Sequence, residues 1–535
     1  MASGHAKSIF IAGFIAGLVA LAFNFLFRLG GFAAFPPESA LGAFLRVVPA
    51  SIEEPMVQHF GDLAGQLGLL VATVIAAAVY GVLALLFDGF LAEKMTRRPV
   101  SNFEGLLAFA LVPWLFFGLV LLPLDGDSFF GNTSAFVSTS TVWAFPFTLL
   151  LVQGVFALAL SRRYQWLPVA SNARQTSSSR RGFIEKGAIG LLAVIAGVMS
   201  LGGLGSLFSS KIQVTGGSQP IDLQDAPPIF SDPRLRTLVE SEATPNDSFY
   251  RVAIDVIDPT VDAAGWSLVL NGLVGNPKNY SLKDIQALPQ AVQYTTLECV
   301  SNQINGNLIS NAKWTGVKVS DLLQDAGGPQ AAAKYVVFYS VDGYSVGIPL
   351  SKALMPDSLV AYSMNDQPLP VKHGFPLRGL IPGLYGMMSA KWVRQISLLD
   401  SEYHGYWQTR GWTNNASVNT VAFIVTPDPG SEVSISKNGG SIILAGYAFA
   451  GDRGVSKVEV SFDGGKTWQE AQLKKPISEL TWALWAYEWR PPATGEYLVY
   501  ARATDVSGQV QTSVVTNTFP NGATGYAFVR FRVAS

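Results

Sequence analysis

The chain has 535 residues and a formal net charge of −1, and only 14% of its residues are charged, well under the roughly 25% of an ordinary soluble domain. That balance excludes the clustered Lys and Arg surface a nucleic-acid partner requires, and the length predicts a membrane part joined to a globular part. The single cysteine, Cys299, excludes an intrachain disulfide, a Cys-rich zinc site, an iron–sulfur cluster and a CxxCH haem attachment within this chain.

From the N-terminus, five apolar windows approach the length of about 20 residues that crosses a bilayer as a helix. They run over 9–27, 69–87, 106–124, 142–160 and 187–208, and define a membrane region over 1–208. The connections alternate in charge. Glu93, Lys94, Arg97 and Arg98 follow the second window, and Arg162, Arg163, Arg174, Arg180, Arg181 and Lys186 fill the gap before the fifth. The other two connections are acidic, with Glu38, Glu53, Glu54 and Asp62 against Arg46 in one, and Asp125 and Asp127 in the other. The positive-inside rule therefore predicts a multi-pass protein of a bacterial or archaeal-type cytoplasmic membrane, its N-terminus cytoplasmic and everything after Phe208 outside. The windows carry almost none of the ionisable groups that mark proton or ion pathways. His5 and His59, the only histidines before His373, do not supply the facing pairs a haem-holding bundle needs. This region reads as an anchor or a docking element for a partner.

Ser177 to Lys186 reads S-S-S-R-R-G-F-I-E-K and leads directly into the fifth window. It looks like an internal twin-arginine export signal, which suits a domain that folds around its cofactor before export. The alternative is a basic cytoplasmic flank. Residues 209–238, rich in Gly, Ser, Pro and Asp, read as a linker or a strap on a domain surface. Beyond them, β-like runs at Trp266–Leu270, Tyr335–Tyr339 and Ser345–Ile348 alternate with short helical candidates at Leu282–Ala287 and Val319–Ala326, which predicts an α+β domain over 239–408. The remainder, 409–535, is read as an all-β, immunoglobulin-like sandwich. Lys457 to Phe462 alternates strictly before a turn at Asp463-Gly464-Gly465-Lys466, and further runs lie at Ile442–Phe449, Thr481–Trp489, Glu496–Thr504 and Ala527–Val533. Trp468, Trp482, Trp485 and Trp489 there serve either a core or an interface between two chains.

Cys299 lies in T-L-E-C-V-S-N-Q, from Thr296 to Gln303. Taken alone it is either a small buried apolar residue or a thiolate for a soft metal. A second segment, Val371 to Trp392, packs His373, Arg378 and Lys391 among glycines and prolines. A rigid Gly and Pro backbone with cationic and imidazole donors suits an extended anionic ligand, which charge-assisted hydrogen bonds can hold closely.

Four motifs in order carry a family resemblance: N-D-S-F-Y-R at Asn246–Arg251, Cys299 followed by Asn302, W-T-G-V at Trp314–Val317, and H-G-F-P-L-R with the later K-W pair at Lys391-Trp392. Over about Pro245 to Gln408 the chain resembles the sulfite oxidase family of molybdopterin oxidoreductases, and the sandwich resembles that family's dimerisation domain. The resemblance implies that Cys299 ligates molybdenum beside the pterin dithiolene, and that Arg251 and Asn302 belong with it to the catalytic set. It implies that Tyr250, Arg251, Ser340, His373, Arg378, Ser389, Ala390 and Lys391 hold the cofactor. The family's active-site tyrosine falls near Glu402–Trp407, where Tyr403, His404 and Tyr406 are all candidates.

Sulfite-oxidising members surround the metal with arginines, because a dianion in a desolvated pocket needs positive charge. Here Gln303, Ile304, Val252 and Ala253 stand at positions that are basic or Asn-His in those enzymes, and Thr518–Gly522 has no arginine. The expected activity is two-electron oxygen-atom transfer on a small sulfur-containing substrate by a membrane-anchored enzyme. Electrons would pass to or from a separate c-type cytochrome or membrane redox subunit, and the enzyme would form a homodimer. Reduction of an S-oxide or N-oxide with the same cofactor is the alternative, and a non-catalytic anchored binding or assembly module the alternative of another class.

Overall fold

The computed structural model describes residues 2–29, 35–47, 62–95, 223, 225–254, 258–436 and 439–535. Contacts divide the chain into two compact units. The first holds three described helices, α1 (Ala2–Leu29), α2 (Pro36–Val47) and α3 (Asp62–Met95). α1 packs on α3 through small residues: a Cβ at Gly17 would lie 2.6 Å from that of Tyr80, and one at Gly13 would lie 2.8 Å from the Tyr80 carbonyl. Glycines of this kind let apolar helix backbones approach closely. Among the described residues, Leu67–Leu86 in α3 is long and apolar enough to cross a membrane, and α1 carries a shorter apolar stretch at Ile9–Ala22. The expected span at 69–87 therefore falls on a helix of spanning length, whereas that at 9–27 falls on α1, whose apolar stretch is shorter. Those at 106–124, 142–160 and 187–208 lie outside the described residues, as does the Arg180-Arg181 pair.

The second unit includes 225–252 and 261–535. The end of the segment expected to be linker or strap is a strap: short turns of 3-10 helix at Pro228–Ser231 and Pro233–Leu235 lead into a helix at Arg236–Glu240. Phe230, Leu235, Leu238 and Val239 are buried, so their apolar side chains hold the segment on the domain.

Ten strands follow: β1 (Leu268–Gly272), β2 (Lys278–Tyr280), β3 (Gln290–Glu298), β4 (Ile309–Lys318), β5 (Tyr335–Ser340), β6 (Ser345–Pro349), β7 (Leu359–Met364), β8 (Gln367–Pro368), β9 (Arg378–Leu380) and β10 (Val393–Leu399). They make two sheets, ordered β2-β1-β10-β5-β6 and β3-β4-β7-β8 with β9 against β7. Both short helices expected here form, at Leu282–Gln286 and Val319–Asp325. Ser281 starts the first with a capping box, accepting from the Asp284 amide at 3.2 Å while the Asp284 carboxylate accepts from the Ser281 amide at 2.8 Å. β3 and β4 pair antiparallel over their whole length, Gln290 opposite Val317 and Glu298 opposite Ile309, which brings both ends of the cysteine loop together.

The C-terminal part is a sandwich of β11 (Val421–Thr426), β12 (Glu432–Ser434), β13 (Ile442–Phe449), β14 (Val455–Ser461), β15 (Gln469–Glu470), β16 (Gln472–Leu473), β17 (Ala483–Trp489), β18 (Gly495–Asp505) and β19 (Ala527–Ala534). The sheets run β11-β13-β17-β16 and β12-β19-β18-β14-β15, and their facing side chains, among them Leu444, Val458, Trp485, Val499 and Phe531, form one core. Trp482, Trp485 and Trp489 are buried and Trp468 is half-buried, so three of the four tryptophans serve packing within the chain. The sandwich is tied to the preceding domain through polar contacts. The Trp482 amide donates to Thr296 Oγ1 at 3.0 Å, Asn305 bridges the Phe528 carbonyl and the Ile424 amide, and Lys474 pairs with Glu242 at 2.9 Å.

Candidate functional site

The cysteine loop is built by its own polar side chains. β3 ends at Glu298, and Cys299 returns a backbone bond to the Leu308 carbonyl at 2.9 Å. Between them the Asn302 amide group is used at both ends: Nδ2 donates to Glu298 Oε1 and Oδ1 accepts from the Leu308 amide, each at 2.9 Å. Asn302, expected among the catalytic groups, is therefore a residue that holds the cysteine in place. Its amide nitrogen and oxygen each make one bond within the loop. Ser301 Oγ lies 3.0 Å from Cys299 Sγ, with both residues buried.

Burial pushes the Glu298 carboxyl up to about 8, against the opposing bond from Asn302, so it is mostly protonated at neutral pH. Three phenols feel the thiol: half-buried Tyr250 and buried Tyr344 and Tyr385 are all raised well above the ordinary value, first by desolvation and then by nearby negative groups that include Cys299. The Tyr344 hydroxyl donates to the Met387 carbonyl, and the Tyr250 hydroxyl lies against Gly386, where any side chain would collide with it. Tyr250 also feels Arg378, and so stands between the thiol and a cationic cradle.

That cradle is the Val371–Trp392 segment. Arg378 on β9 lies over the Trp314 ring at 4.9 Å and donates to the His373 carbonyl at 3.1 Å and the Ser389 carbonyl at 3.3 Å. Desolvation lowers its guanidinium to about 10, which leaves it charged at neutral pH. His373 is buried and held down to about 3, chiefly by desolvation and further by Arg378, Lys372 and Lys391. Its Nε2 lies 2.7 Å from the Asn246 carbonyl, so the neutral ring carries its proton on Nε2 and donates. Gly374, at φ 115°, lets this turn pass: a Cβ there would lie 3.0 Å from that of Lys391 and 3.1 Å from that of Arg378. Lys391 sits over the Trp392 ring at 4.2 Å. Ser389 Oγ accepts from the Ile381 amide at 3.1 Å, and the Ala390 carbonyl accepts from the Gly379 amide at 2.8 Å, so both shape the backbone of the cradle. Ser340, on β5, lies opposite Val393 of β10, two residues beyond Lys391.

Arg378 Nε and Ser340 Oγ are buried with no hydrogen-bond partner in the protein. Unsatisfied buried donors are costly, and a bound anionic group with several acceptor oxygens would relieve them. The donor set thus fits a pterin phosphate, and the lone thiol fits a soft metal.

Of the ten expected site residues, Tyr250, His373, Arg378, Ser389, Ala390 and Lys391 are joined by these contacts, Cys299 through Tyr250. Arg251 follows Tyr250, half-buried. Among the tyrosine candidates, the Tyr406 ring lies 5.9 Å from that of Tyr344, whereas Tyr403 donates to Ser345 Oγ and His404 lies exposed beside Glu402. Glu298, Ser301, Tyr344 and Tyr385 were not singled out from sequence. Glu298 and Ser301 flank the cysteine in the same motif, and only their burial distinguishes them from ordinary polar neighbours. Tyr344 lies in the hairpin between β5 and β6, and nothing local marks it.

Residues 255–407 match the model of an oxidoreductase molybdopterin binding domain, and 410–522 that of a Mo-co oxidoreductase dimerisation domain. The chain is 32% identical over 332 residues to the mitochondrial sulfite oxidase of Rattus norvegicus, covering 54% of this chain and 60% of that protein. It is 32% identical over 339 residues to the sulfite oxidase of Arabidopsis thaliana, covering 53% of this chain and 86% of that one. Among solved structures, the sulfane dehydrogenase SoxCD from Paracoccus pantotrophus aligns over 54% of this chain and 83% of that one, at 22% identity and a TM-score of 0.47. The chain spans only about 60% of the length of the first of these relatives.

Proposed function

Because the chain belongs to the sulfite oxidase family of molybdopterin oxidoreductases, we propose that it is a membrane-anchored, extracytoplasmic enzyme acting on a small sulfur-containing substrate. The observation that carries this reading is the cradle itself: a buried arginine with an unsatisfied donor, joined electrostatically through Tyr250 to the chain's one thiol, and a buried serine, Ser340, with an unsatisfied hydroxyl. Arg378, His373, Lys391, Ser340, Ser389 and Ala390 would hold the pterin and its phosphate, and Cys299 would be the protein ligand of molybdenum. When bound, the metal supplies two-electron oxygen-atom transfer.

The chain's own residues do the rest. Arg378 stays charged in a dry site and so binds an anion strongly. Neutral His373 fixes the turn that carries Lys391 without adding charge of its own. Tyr250, Tyr344 and Tyr385 stay protonated across the physiological range. Arg251 would contribute positive charge to substrate binding.

The missing arginines at Gln303 and Ile304, and the phenols around Cys299, favour a second reading, reduction of a neutral S-oxide or N-oxide with the same cofactor. The apolar windows and alternating loop charge support a multi-pass anchor with a cytoplasmic N-terminus, and Arg180-Arg181 supports export of a folded domain. A c-type cytochrome or a membrane redox subunit would exchange electrons with the site. The match to a dimerisation domain supports a homodimer.

Metal and pterin content of detergent-purified wild type and Cys299→Ser protein tests the core of this reading. About one molybdenum and one pterin per wild-type chain are expected, with loss of activity in the variant. Wild type without either, or a fully active Cys299→Ser protein, would refute it. Sulfite oxidation and sulfoxide reduction, each assayed with an artificial electron carrier, then decide the direction.

A further inference from the structure

Cys299 Sγ has a hydroxyl beside it that the family motif does not explain. Ser301 Oγ lies 3.0 Å away, and its place is fixed from both sides. The Asn302 amide bonds to the Cys299 carbonyl at 3.0 Å, closing a turn around Ser301. The Asn302 side chain then pins that turn to Leu308 and to Glu298. Ser301 and Cys299 are both nearly sealed from solvent, so water does not compete for the contact and its strength is that of a low-dielectric bond. The phenols of Tyr250, Tyr344 and Tyr385 feel Cys299 only through space, while Ser301 is at bonding distance.

In a free thiol either atom can donate. A metal-bound sulfur has lost its proton, so the hydroxyl is then the only possible donor of the pair. A hydrogen bond to a ligating sulfur draws electron density from it, weakens its donation to the metal and favours the more electron-rich, reduced metal. We propose that Ser301 donates a hydrogen bond to the molybdenum-ligating sulfur of Cys299 and thereby raises the reduction potential of the site. Ser301 is a positioning residue that acts through Cys299. It sets which electron carriers the enzyme can exchange with, and it rests on the reading of Cys299 as the metal ligand.

The test uses full-length, detergent-purified holoenzyme as wild type and as Ser301→Ala, Ser301→Thr and Ser301→Val. Elemental analysis comes first and every later reading is normalised to bound molybdenum, so partial loading of a variant does not hide the result. The Mo(VI)/Mo(V) midpoint is then read by redox titration followed by electron paramagnetic resonance. Loss of one charge-assisted hydrogen bond should shift this equilibrium roughly tenfold toward the oxidised side, which is about 59 mV downward for a one-electron couple. Ser301→Ala and Ser301→Val should show this shift together with a lower-energy sulfur-to-metal absorption band, and Ser301→Thr should match wild type. Threonine and valine share a shape, so a difference between them reads the hydroxyl alone. Equal midpoints in Ser301→Thr and Ser301→Val would overturn the proposal even where Ser301→Ala fails to load. Wild type without molybdenum would instead overturn the functional reading, and this one with it, before any titration begins.

Discussion

A carboxyl, a hydroxyl and an amide on either side of Cys299 decide how the thiol is presented. The cysteine and the cations of the cradle are legible in the sequence, because they sit in motifs whose order and residue types suggest a soft ligand and an anion. Their neighbours are not. Glu298 and Ser301 acquire their properties from burial, and Tyr344 and Tyr385 from a fold that carries them toward the thiol from distant segments. His373 shows how far burial moves a group. Its ordinary value near 6.5 falls to about 3 in the fold, so below pH 6.5 the unfolded chain takes up a proton that the folded chain refuses. The stability from this group is therefore complete above pH 6.5 and is lost as the pH falls toward about 3. Between about pH 7 and pH 5 the loss is about 2 kcal/mol. His373→Gln, which keeps a donor for the Asn246 carbonyl, should lower the thermal midpoint less across that interval than wild type. The same pH-dependent fall in both proteins, read by circular dichroism, would contradict a buried neutral histidine.

Strands that alternate are legible in the sequence, and so are some apolar runs that the fold buries on both faces. β14 alternates in sequence and forms as expected, as do β13, β18 and β19. β4 is buried over nearly its whole length, on both faces, so its residues show no period of two, and β7 is much the same. Those two strands build the sheet that carries Cys299 on one side and Arg378 on the other. The strap at 228–242 was legible only as one of two possibilities, since Phe230 and Leu238 reveal their role only against the surface they cover. Its last residue, Glu242, enters a buried ion pair with Lys474 of the sandwich, the two side chains 7% and 5% exposed. Breaking such a pair leaves an uncompensated buried charge. Lys474→Met should therefore cost about 3–5 kcal/mol in chemical denaturation, and adding Glu242→Gln should restore much of it. A single variant as stable as wild type would mean that the pair carries little of the attachment between strap and sandwich.

For the whole molecule, the proposed orientation places the catalytic and sandwich domains on the far side of the membrane. Protease added to intact spheroplasts should then digest both domains, leaving fragments no longer than the membrane region. Arg180→Lys with Arg181→Lys should keep them protected inside if the twin-arginine pathway carries them. Digestion equal to wild type in that double variant would show that the pair serves only as a basic flank.

Composition and charge periodicity, which need no long-range contact, determined the division into an apolar N-terminal region and a globular remainder, and the ordered motifs determined the family and its cofactor. Tertiary structure alone decided which polar groups meet the thiol, that Asn302 clamps a loop, and that three of four sandwich tryptophans are core. The physical reason is that desolvation and hydrogen-bond geometry belong to groups brought together from distant positions, and no local pattern of residues encodes how deeply each will be buried.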